Sequence, residues 1–384
     1  MLQDDDPILI LSSIPIFTRN LVWAAGEAGR SCWVIEVKVD DVWRHCPNVL
    51  GVELFDCAEL VEGGLAAEKQ LLDFLSRHKV SAVVASDTRC SRLLLRARPQ
   101  LPTGVQCFPM LDSERFEELY DKTRFAAALE EYDLPHPQTK TIRSAEEAET
   151  ANISFPAIIK PVQGEGGAGI VVTANREELR ADLASRPDLA SRPVVVQTFI
   201  PGHDIDVSLL AEKGCIVAWT IQSRREDGVI EFFDRPDVLE LCRQLVERTG
   251  YHGVGHFDLR IDERDESIVF IETNPRFWGS LCYSTWMGVN FLTLGLRLDE
   301  KGALLKAFTP VTGESPYLGV TRASLPRLLL GGWPRPSGLN IGQLHAWRFH
   351  HRFGSGGLSL WHAKWGLGQA LRSSLGSDSE SLSS

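Results

Sequence analysis

The chain has 384 residues, which is enough for two or three domains. Its 43% hydrophobic and 24% charged residues are typical of a globular protein with a substantial core. The net charge of -11 argues against a nucleic-acid-binding protein, which usually carries a basic surface, and no apolar stretch is long enough to span a bilayer.

The N-terminus and the cysteines predict a cytoplasmic location. The residues before Pro7 are acidic and lack the positively charged start of a signal peptide. The eight cysteines form no C-x-x-C pair and lie in apolar surroundings, so we expect reduced thiols and neither disulfides nor a zinc site.

Residues 1–110 are predicted to form a parallel α/β domain. Three apolar strand patterns alternate with two helical patterns, as in a sheet with crossover helices. The first strand-to-helix turn has no glycine cluster, which counts against a nicotinamide site there. Asp87 and Arg89 follow the third strand, at the sheet edge where ligands bind; a simple helix cap is the competing interpretation. The strand patterns are 7–13, 32–38 and 80–86, and the helical patterns are 18–29 and 63–79.

Residues 111–306 have α+β character. Two helical segments precede Pro135 and Pro137, and strands, a glycine loop and further helices follow. We predict a small lid subdomain at about 123–197 and a metal-binding subdomain at about 198–306. Residues 307–384 carry no assignable motif and end in a tail whose composition predicts disorder.

The glycine loop at 164–169 reads G-E-G-G-A-G, which matches the dinucleotide pattern G-x-G-x-x-G. That pattern requires a helix after the glycines, whereas here the strand pattern GIVVTA follows, and no G-K-[ST] is present for a Walker A loop. Two alternatives remain: a mobile turn without a ligand, or a glycine hairpin whose amides close over phosphate oxygens. Lys160, at the end of the preceding apolar strand, favours phosphate binding.

The segment FIETNPRFWGS carries a predicted metal site. Glu272 and Asn274 are two residues apart on a strand, so their side chains share a face, and Asp258 on the partner strand of the predicted hairpin could reach it. Three such oxygen ligands suit Mg²⁺. Arg276 adds a cation that could hold a transferring phosphoryl group or an acyl phosphate. A solvated strand face would explain Glu272 alone, but not the combination.

A third segment, VVVQTFIPGHD, could form an adenine slot. Backbone groups of Phe199 and Ile200 would read the adenine edge, and Asp204 would accept hydrogen bonds from the ribose. As a plain strand and turn the segment would need no ligand. His252 and His256 form H-x-x-x-H, but they enter a strand rather than a helix, so a shared zinc ion is not expected.

Four segments, in this order and spacing, resemble the ATP-grasp superfamily, in particular its carboxylate–amine ligases and carbamoyl-phosphate-synthase-like members. They are YDKTRF, AIIKPVQGEGGAG, VVVQTFIPGHD and FIETNPRFWGS. The resemblance implies an ATP-grasp fold after an N-terminal parallel α/β domain. It covers the middle region, and nothing after about Lys306 contributes to it.

The resemblance also implies roles for individual residues. Lys122 and Lys160 would contact the ATP phosphates, and Arg276, joined by Arg224 or Arg225, would steady the γ-phosphate and the acyl phosphate. Gln197 stands where the family commonly has glutamate for the adenine amino group, and Asp204 stands where it has glutamate for the ribose. The glycines that would cover the phosphates are Gly164, Gly166, Gly167 and Gly169, and the ligands of two Mg²⁺ ions would be Asp258, Glu272 and Asn274.

The implied reaction is ATP-dependent activation of a carboxylate as an acyl phosphate, followed by attack of an amine. The cofactors would be ATP and two Mg²⁺ ions, with Mn²⁺ able to substitute. The partners would be small carboxylate and amine substrates, most simply amino-acid-like ones, and a homodimer is compatible with the resemblance. Three alternatives stay open: carboxylation with bicarbonate, ligation to a thiol, and an ATP-binding regulatory module without turnover. A dinucleotide oxidoreductase ranks behind all of these.

Overall fold

The computed structural model describes residues 6–37, 46, 48–55, 60, 64–164, 169–187, 189, 192–225, 229–298 and 308–318. These residues contain three β-sheets. No helix among them has both the length and the apolar composition needed to cross a bilayer. The seven cysteines in these ranges are free thiols, and five of them are buried.

The first sheet is parallel and belongs to the N-terminal region. Its strands are β1 (Ile8–Ser12), β2 (Cys32–Glu36), β3 (Val49–Leu54), β4 (Ala82–Ala85) and β5 (Gln106–Cys107). They lie in the order β3-β2-β1-β4-β5. Strands β2 and β3 are therefore added on one side of β1, and β4 and β5 on the other side. The helices are α1 (Pro15–Glu27), α2 (Leu65–Arg77) and α3 (Thr88–Ala97), with a 3₁₀ turn at Arg98–Gln100.

The parallel α/β prediction is confirmed, although two strands were missed. β3 and β5 are edge strands: β3 is half-exposed and β5 has two residues, so neither carries a strong apolar pattern. The central strand β1 is buried on both faces, as parallel strands are. Ile8 and Ile10 pack into one hydrophobic core, while Leu9 and Leu11 pack into another.

A small antiparallel sheet forms the predicted lid region. Its strands are β6 (Thr139–Ile142), β7 (Ala157–Pro161), β8 (Val171–Thr173) and β9 (Val194–Thr198), in the order β6-β9-β7-β8. Two helices precede it, α4 (Ser113–Tyr120) and α5 (Lys122–Glu131), and α6 (Ala145–Thr150) and α7 (Arg176–Ala184) belong to it. The glycine loop connects β7 to β8, which pair antiparallel, so the predicted strand–loop–strand arrangement is present.

A large antiparallel sheet holds the predicted metal ligands. Its strands are β10 (Gly202–Glu212), β11 (Cys215–Arg224), β12 (Val229–Phe232), β13 (Gly253–Asp262), β14 (Ile268–Asn274) and β15 (Gly313–Leu318), in the order β14-β13-β10-β11-β12-β15. The remaining helices are α8 (Pro236–Thr249), α9 (Leu281–Trp286) and α10 (Phe291–Leu296). Because β15 pairs with β12, this sheet continues past the predicted boundary at residue 306. The predicted disordered tail lies outside the described residues.

The two faces of the large sheet differ in polarity. On one face Val207, Phe257 and Phe270 pack into a core beneath α8. On the other face, polar side chains occupy the middle of the strands, and Leu210 and Val254 near their ends join the core of the N-terminal sheet. The N-terminal domain therefore packs directly beside the polar part of the large sheet.

Candidate nucleotide and metal site

Lys160 and Gln197 share the polar face of the small sheet. In the pairing of β7 with β9, Lys160 lies opposite Val195 and Gln197 lies opposite Ile158. The alternate residues Ile159 and Val196 pack into the core of the lid. Because strand side chains alternate, Lys160 and Gln197 must point away from that core.

Burial, together with the neighbouring cation Lys122, lowers the pKa of Lys160 to about 8. The carboxylates of Glu272, Asp258 and Asp204 act in the opposite direction. Lys160 is only 3% exposed, so its charge is held in the protein without the hydration that would normally stabilise it. A phosphate group would provide the missing compensation.

Lys122 connects the glycine loop to the metal ligands. It is the first residue of α5, whose N-terminus is capped by the Asp121 carboxylate. Its Nζ donates to the Gly164 carbonyl at 3.1 Å and lies 3.3 Å from Glu272 Oε2. One ammonium group thus contacts the loop predicted to cover the phosphates and a carboxylate predicted to bind the metal.

The glycine loop is described at its two ends. Gly164 has φ of +146° and Gly169 has φ of +77°, values that side-chain-bearing residues rarely adopt. A Cβ atom at Gly169 would also lie 3.1 Å from the Pro161 ring. Both positions therefore require glycine for backbone reasons. Gly166 and Gly167 lie outside the described residues.

Carboxylates form a row across the large sheet. Asp258 lies opposite Glu272 on β14 and opposite Asp206 on β10. Asn274 donates from Nδ2 to Asp258 Oδ2 at 3.4 Å. The structure thus brings the three predicted metal ligands together. It also adds Asp206, which sequence reasoning missed although Asp204-Ile-Asp206 places two acids on one strand face.

Burial and neighbouring carboxylates disfavour the ionised form of two acids in this row, Asp258 and Asp206. Burial raises the pKa of Asp258 well above its usual range, and the Asp206 and Glu272 carboxylates raise it further. Burial likewise raises the pKa of Asp206 to about 6. Carboxylate oxygens gathered beside an amide are the donor set that Mg²⁺ prefers, so Asp258, Glu272 and Asn274 fit a divalent cation.

Arg276 is buried against the N-terminal domain. Its guanidinium donates to Asn274 Oδ1 at 2.8 Å and to the Phe277 carbonyl at 2.7 Å. From the N-terminal domain, Thr88 Oγ1 lies 3.4 Å from Nε, and the Phe17 ring lies 5.0 Å from the guanidinium carbon. The first domain therefore helps to orient the predicted phosphate-binding arginine.

The structure distinguishes Arg224 from Arg225. Arg224 lowers the pKa of Asp206 through its charge, so it lies on the side of the carboxylate row. Arg225 forms an ion pair with Glu314 at 2.6 Å, next to β15. Arg224 is the better candidate for a site residue.

The predicted adenine segment lies at the junction of the small and large sheets. Gln197 is buried and donates from Nε2 to Thr139 Oγ1 at 2.9 Å, so its carbonyl oxygen is the atom that could accept from an adenine amino group. The Phe199 N–H donates to the Pro156 carbonyl, so a contact from Phe199 would have to use its own carbonyl. Ile200 is buried beside it, and Asp204 is exposed, with Arg260 at 2.7 Å.

Asp87 serves as a helix cap. It is fully buried, accepts from the Cys90 N–H at the start of α3, and accepts from the backbone and hydroxyl of Ser13 at 2.6 and 2.8 Å. These bonds join the carboxyl ends of β1 and β4. Asp87 was predicted either to contact a ligand or to cap a helix, and the helix cap is confirmed. Arg89 is exposed.

Because these bonds are structural, replacing Asp87 by alanine should lower the free energy of unfolding by about 1–2 kcal/mol, the range for a lost cap. The Michaelis constant for ATP should not change. Urea denaturation and steady-state kinetics measure the two quantities. A raised Michaelis constant with unchanged stability would instead place Asp87 in a ligand site.

The two histidines have different neighbours. His252 precedes β13 and interacts electrostatically with Glu212 and Arg98. His256 lies within the carboxylate row, 3.4 Å from Asp258 Oδ1 and stacked on Trp278. A zinc ion shared by the two histidines is not supported.

Comparison with known proteins agrees with this architecture. A family model described as the ATP-grasp domain matches residues 119–280. Among solved structures, the L-amino acid ligase of Bacillus licheniformis is 17% identical with a TM-score of 0.61, covering 79% of this chain and 76% of that one. The N5-carboxyaminoimidazole synthetase of Staphylococcus aureus is 13% identical with a TM-score of 0.59, covering 77% and 78%.

A third similar structure is the biotin carboxylase domain of Hydrogenobacter thermophilus 2-oxoglutarate carboxylase, solved with MgADP and bicarbonate. It is 17% identical with a TM-score of 0.61, covering 78% of this chain and 70% of that one. At such identities the likeness shows a shared fold. Taken with the family match, it shows that this chain contains an ATP-grasp domain at residues 119–280 and has the fold of ATP-grasp proteins.

Proposed function

We propose that this protein is an ADP-forming ligase that joins a carboxylate to an amine, with amino-acid-like substrates. The observation that supports it most directly is the bridge made by Lys122, whose ammonium contacts both Gly164 and Glu272. A lysine predicted to bind phosphate and an acid predicted to bind metal therefore lie in contact where the small and large sheets meet. The similar solved structures include an L-amino acid ligase and proteins in complex with ADP.

In the proposed reaction, a carboxylate oxygen attacks the γ-phosphorus of ATP and the bond to ADP breaks. The resulting acyl phosphate is attacked by an amine, phosphate leaves, and the amine loses a proton. Bound Mg²⁺ would neutralise charge on the phosphate oxygens, and Asp258, Glu272 and Asn274 would hold it, as two ions in our proposal.

The chain's own residues would supply positioning and charge. Lys122 and Lys160 would bind phosphate oxygens with buried, partly desolvated ammonium groups, where electrostatic attraction is strong. Arg276 would meet the acyl phosphate in an orientation already set by Asn274 and Phe277. The glycine loop would close over the phosphates and exclude water, which would otherwise hydrolyse the acyl phosphate.

The test uses the purified full chain with ATP, Mg²⁺ and pools of amino acids. ADP, phosphate and a product one water lighter than the sum of the two acids are expected, and mass spectrometry identifies the product. A product heavier by carbon dioxide, formed only with bicarbonate, would support carboxylation instead. ATP binding with no ADP from any pool would support a regulatory module.

A further inference from the structure

Three hydrogen-bond acceptors meet beside the predicted metal ligands. Asp206 lies opposite Gln222 on one neighbouring strand and opposite Asp258 on the other. His256, on the strand of Asp258, is 3.9 Å from Asp206 Oδ2. The Asp206 side chain keeps 29% of its surface exposed, so a small molecule could reach it.

Asp206 has no strong cationic partner among the described residues. Its single ion-pair contact there is with His256, whose Nε2 lies 3.9 Å from Asp206 Oδ2. Gln222 supplies a hydrogen bond from its amide, and Arg224 acts on Asp206 through its charge. The Asp206 carboxylate can therefore accept a further hydrogen bond.

Gln222 points to a missing ligand. The residue is only 1% exposed, and its Nε2 donates to Ser280 Oγ at 2.9 Å. Its carbonyl oxygen is buried and has no hydrogen-bond partner in the described part of the chain. Buried polar atoms are nearly always paired, so an orphaned acceptor next to an anionic side chain calls for a cationic donor.

His256 can complete the same set. Its Nδ1 lies 3.0 Å from Ser208 Oγ, an arrangement that fixes the ring. When Nδ1 carries the proton and donates it to Ser208, the Nε2 lone pair faces Asp206 and Asp258. A carboxylate, an amide oxygen and a ring nitrogen then lie on the same face of three neighbouring strands.

We propose that Asp206, Gln222 and His256 bind the α-ammonium group of an amino acid whose carboxylate the enzyme activates. This inference rests on the proposed ligase function. An ammonium group has three N–H donors and one positive charge, which match the three acceptors and the negative charge of Asp206. The substrate is therefore an α-amino acid in the role of acyl donor.

The position of the cluster suits this substrate. Asp258 contacts His256 on one side and Asn274 on the other, each at 3.4 Å, and Asn274 in turn contacts Arg276. The ammonium site thus adjoins the residues predicted to hold the phosphate and metal. In an α-amino acid the ammonium and carboxylate are attached to one carbon. Its recognition therefore requires an anionic site for the ammonium group next to a cationic site for the carboxylate.

A second metal ion is the competing occupant. Ligand atoms of Asp206, His256 and Asp258 lie within 4.8 Å of one another, close enough to share a cation. Asp258, however, also faces Glu272 and Asn274, the oxygen donors that a divalent ion would use. That leaves Asp206 and Gln222 for a separate, singly charged group.

Equilibrium binding tests the proposal independently of turnover. The full chain, with a non-hydrolysable ATP analogue and Mg²⁺, is screened by thermal shift and calorimetry against the twenty standard L-amino acids. Each amino acid that binds is compared with the acid that has hydrogen in place of the ammonium group. We expect the amino acid to bind at least tenfold more tightly than its counterpart.

Two variants locate the effect. Asp206→Asn and Gln222→Met should each weaken amino-acid binding, by about tenfold or more for Asp206→Asn, and should leave affinity for the ATP analogue and the Mg²⁺ requirement unchanged. Asp73→Asn makes the same substitution on an exposed helical position, 56% exposed and paired with Lys69, and should behave as wild type. Circular dichroism and the affinity for the ATP analogue confirm that the variants are folded.

The outcomes separate this proposal from the ligase proposal. Equal binding of the amino acid and its ammonium-free counterpart, or no amino-acid binding at all, overturns the ammonium site. A changed Mg²⁺ requirement in Asp206→Asn with unchanged amino-acid affinity assigns the cluster to a metal. If amino-acid binding depends on Asp206 but no ADP forms, the ammonium site is supported and the ligase proposal is refuted. If ADP forms only with acids that lack an α-ammonium group, the ligase proposal is supported and the ammonium site is refuted.

Discussion

Replacing Glu272 by glutamine should lower the rate of ADP release by about a hundredfold to a thousandfold, because metal ions contribute several kcal/mol to transition-state stabilisation. The substitution keeps the shape of the side chain but removes its charge. Glu272 lies opposite Asp258 in the carboxylate row and 3.3 Å from the ammonium of Lys122. The change therefore weakens the metal site and also deprives a buried lysine of its counter-ion.

Steady-state ADP release measured over a range of Mg²⁺ concentrations checks this. We expect the Mg²⁺ concentration for half-maximal activity to rise together with the fall in rate. Glu240→Gln is the matched control, since Glu240 lies on α8 with 58% of its side chain exposed, and it should retain full activity. Wild-type activity and an unaltered Mg²⁺ requirement in Glu272→Gln would remove Glu272 from the metal site.

Replacing Lys160 by methionine should weaken ATP binding by about tenfold to a hundredfold at pH 7, since a hydrogen bond to a charged group contributes about 1.5–3 kcal/mol. In the wild-type protein the affinity should also fall as the pH rises above about 8, where Lys160 loses its proton. Phosphate favours the charged amine, so ATP binding should be accompanied by proton uptake in this range. The methionine variant should show neither effect.

Titration calorimetry in two buffers of different ionisation enthalpy measures the proton uptake. Lys140→Met, on an exposed position of β6, provides the control. Proton uptake that persists in the methionine variant would assign the titration to another group.

The same depressed pKa predicts the effect of pH on stability. Below pH 8 Lys160 is protonated in both the folded and the unfolded chain, so the cost of burying its charge is fully present. Between about 8 and the ordinary value of 10.5 the folded state has already released this proton, so the folded state binds fewer protons than the unfolded state. The contribution of Lys160 to stability should therefore become less unfavourable as the pH rises through that window. Lys160→Met should remove this pH dependence in urea denaturation.

Local patterns in the sequence correctly predicted where several candidate site residues lie on their strands. The strand after the glycine loop excludes a helix-based dinucleotide site, and β8 does follow that loop. The two-residue spacing of Glu272 and Asn274 requires a common strand face. The hairpin of β13 and β14 brings Asp258 opposite Glu272, as expected from a short acidic turn between two apolar strands. Each of these inferences depends on neighbours in sequence, whose geometry strand periodicity determines.

The tertiary structure alone decided the rest, because it depends on register and on contacts between distant segments. Asp206 and Gln222 join the carboxylate row only through the pairing of β10 with β11 and β13. Phe17 and Thr88 reach Arg276 because the N-terminal sheet and the large sheet share one hydrophobic core. The sequence alone determined which residues carry charge and which face of a strand they occupy. Which strands lie side by side, and hence which charges meet, was settled by long-range packing that no local pattern encodes.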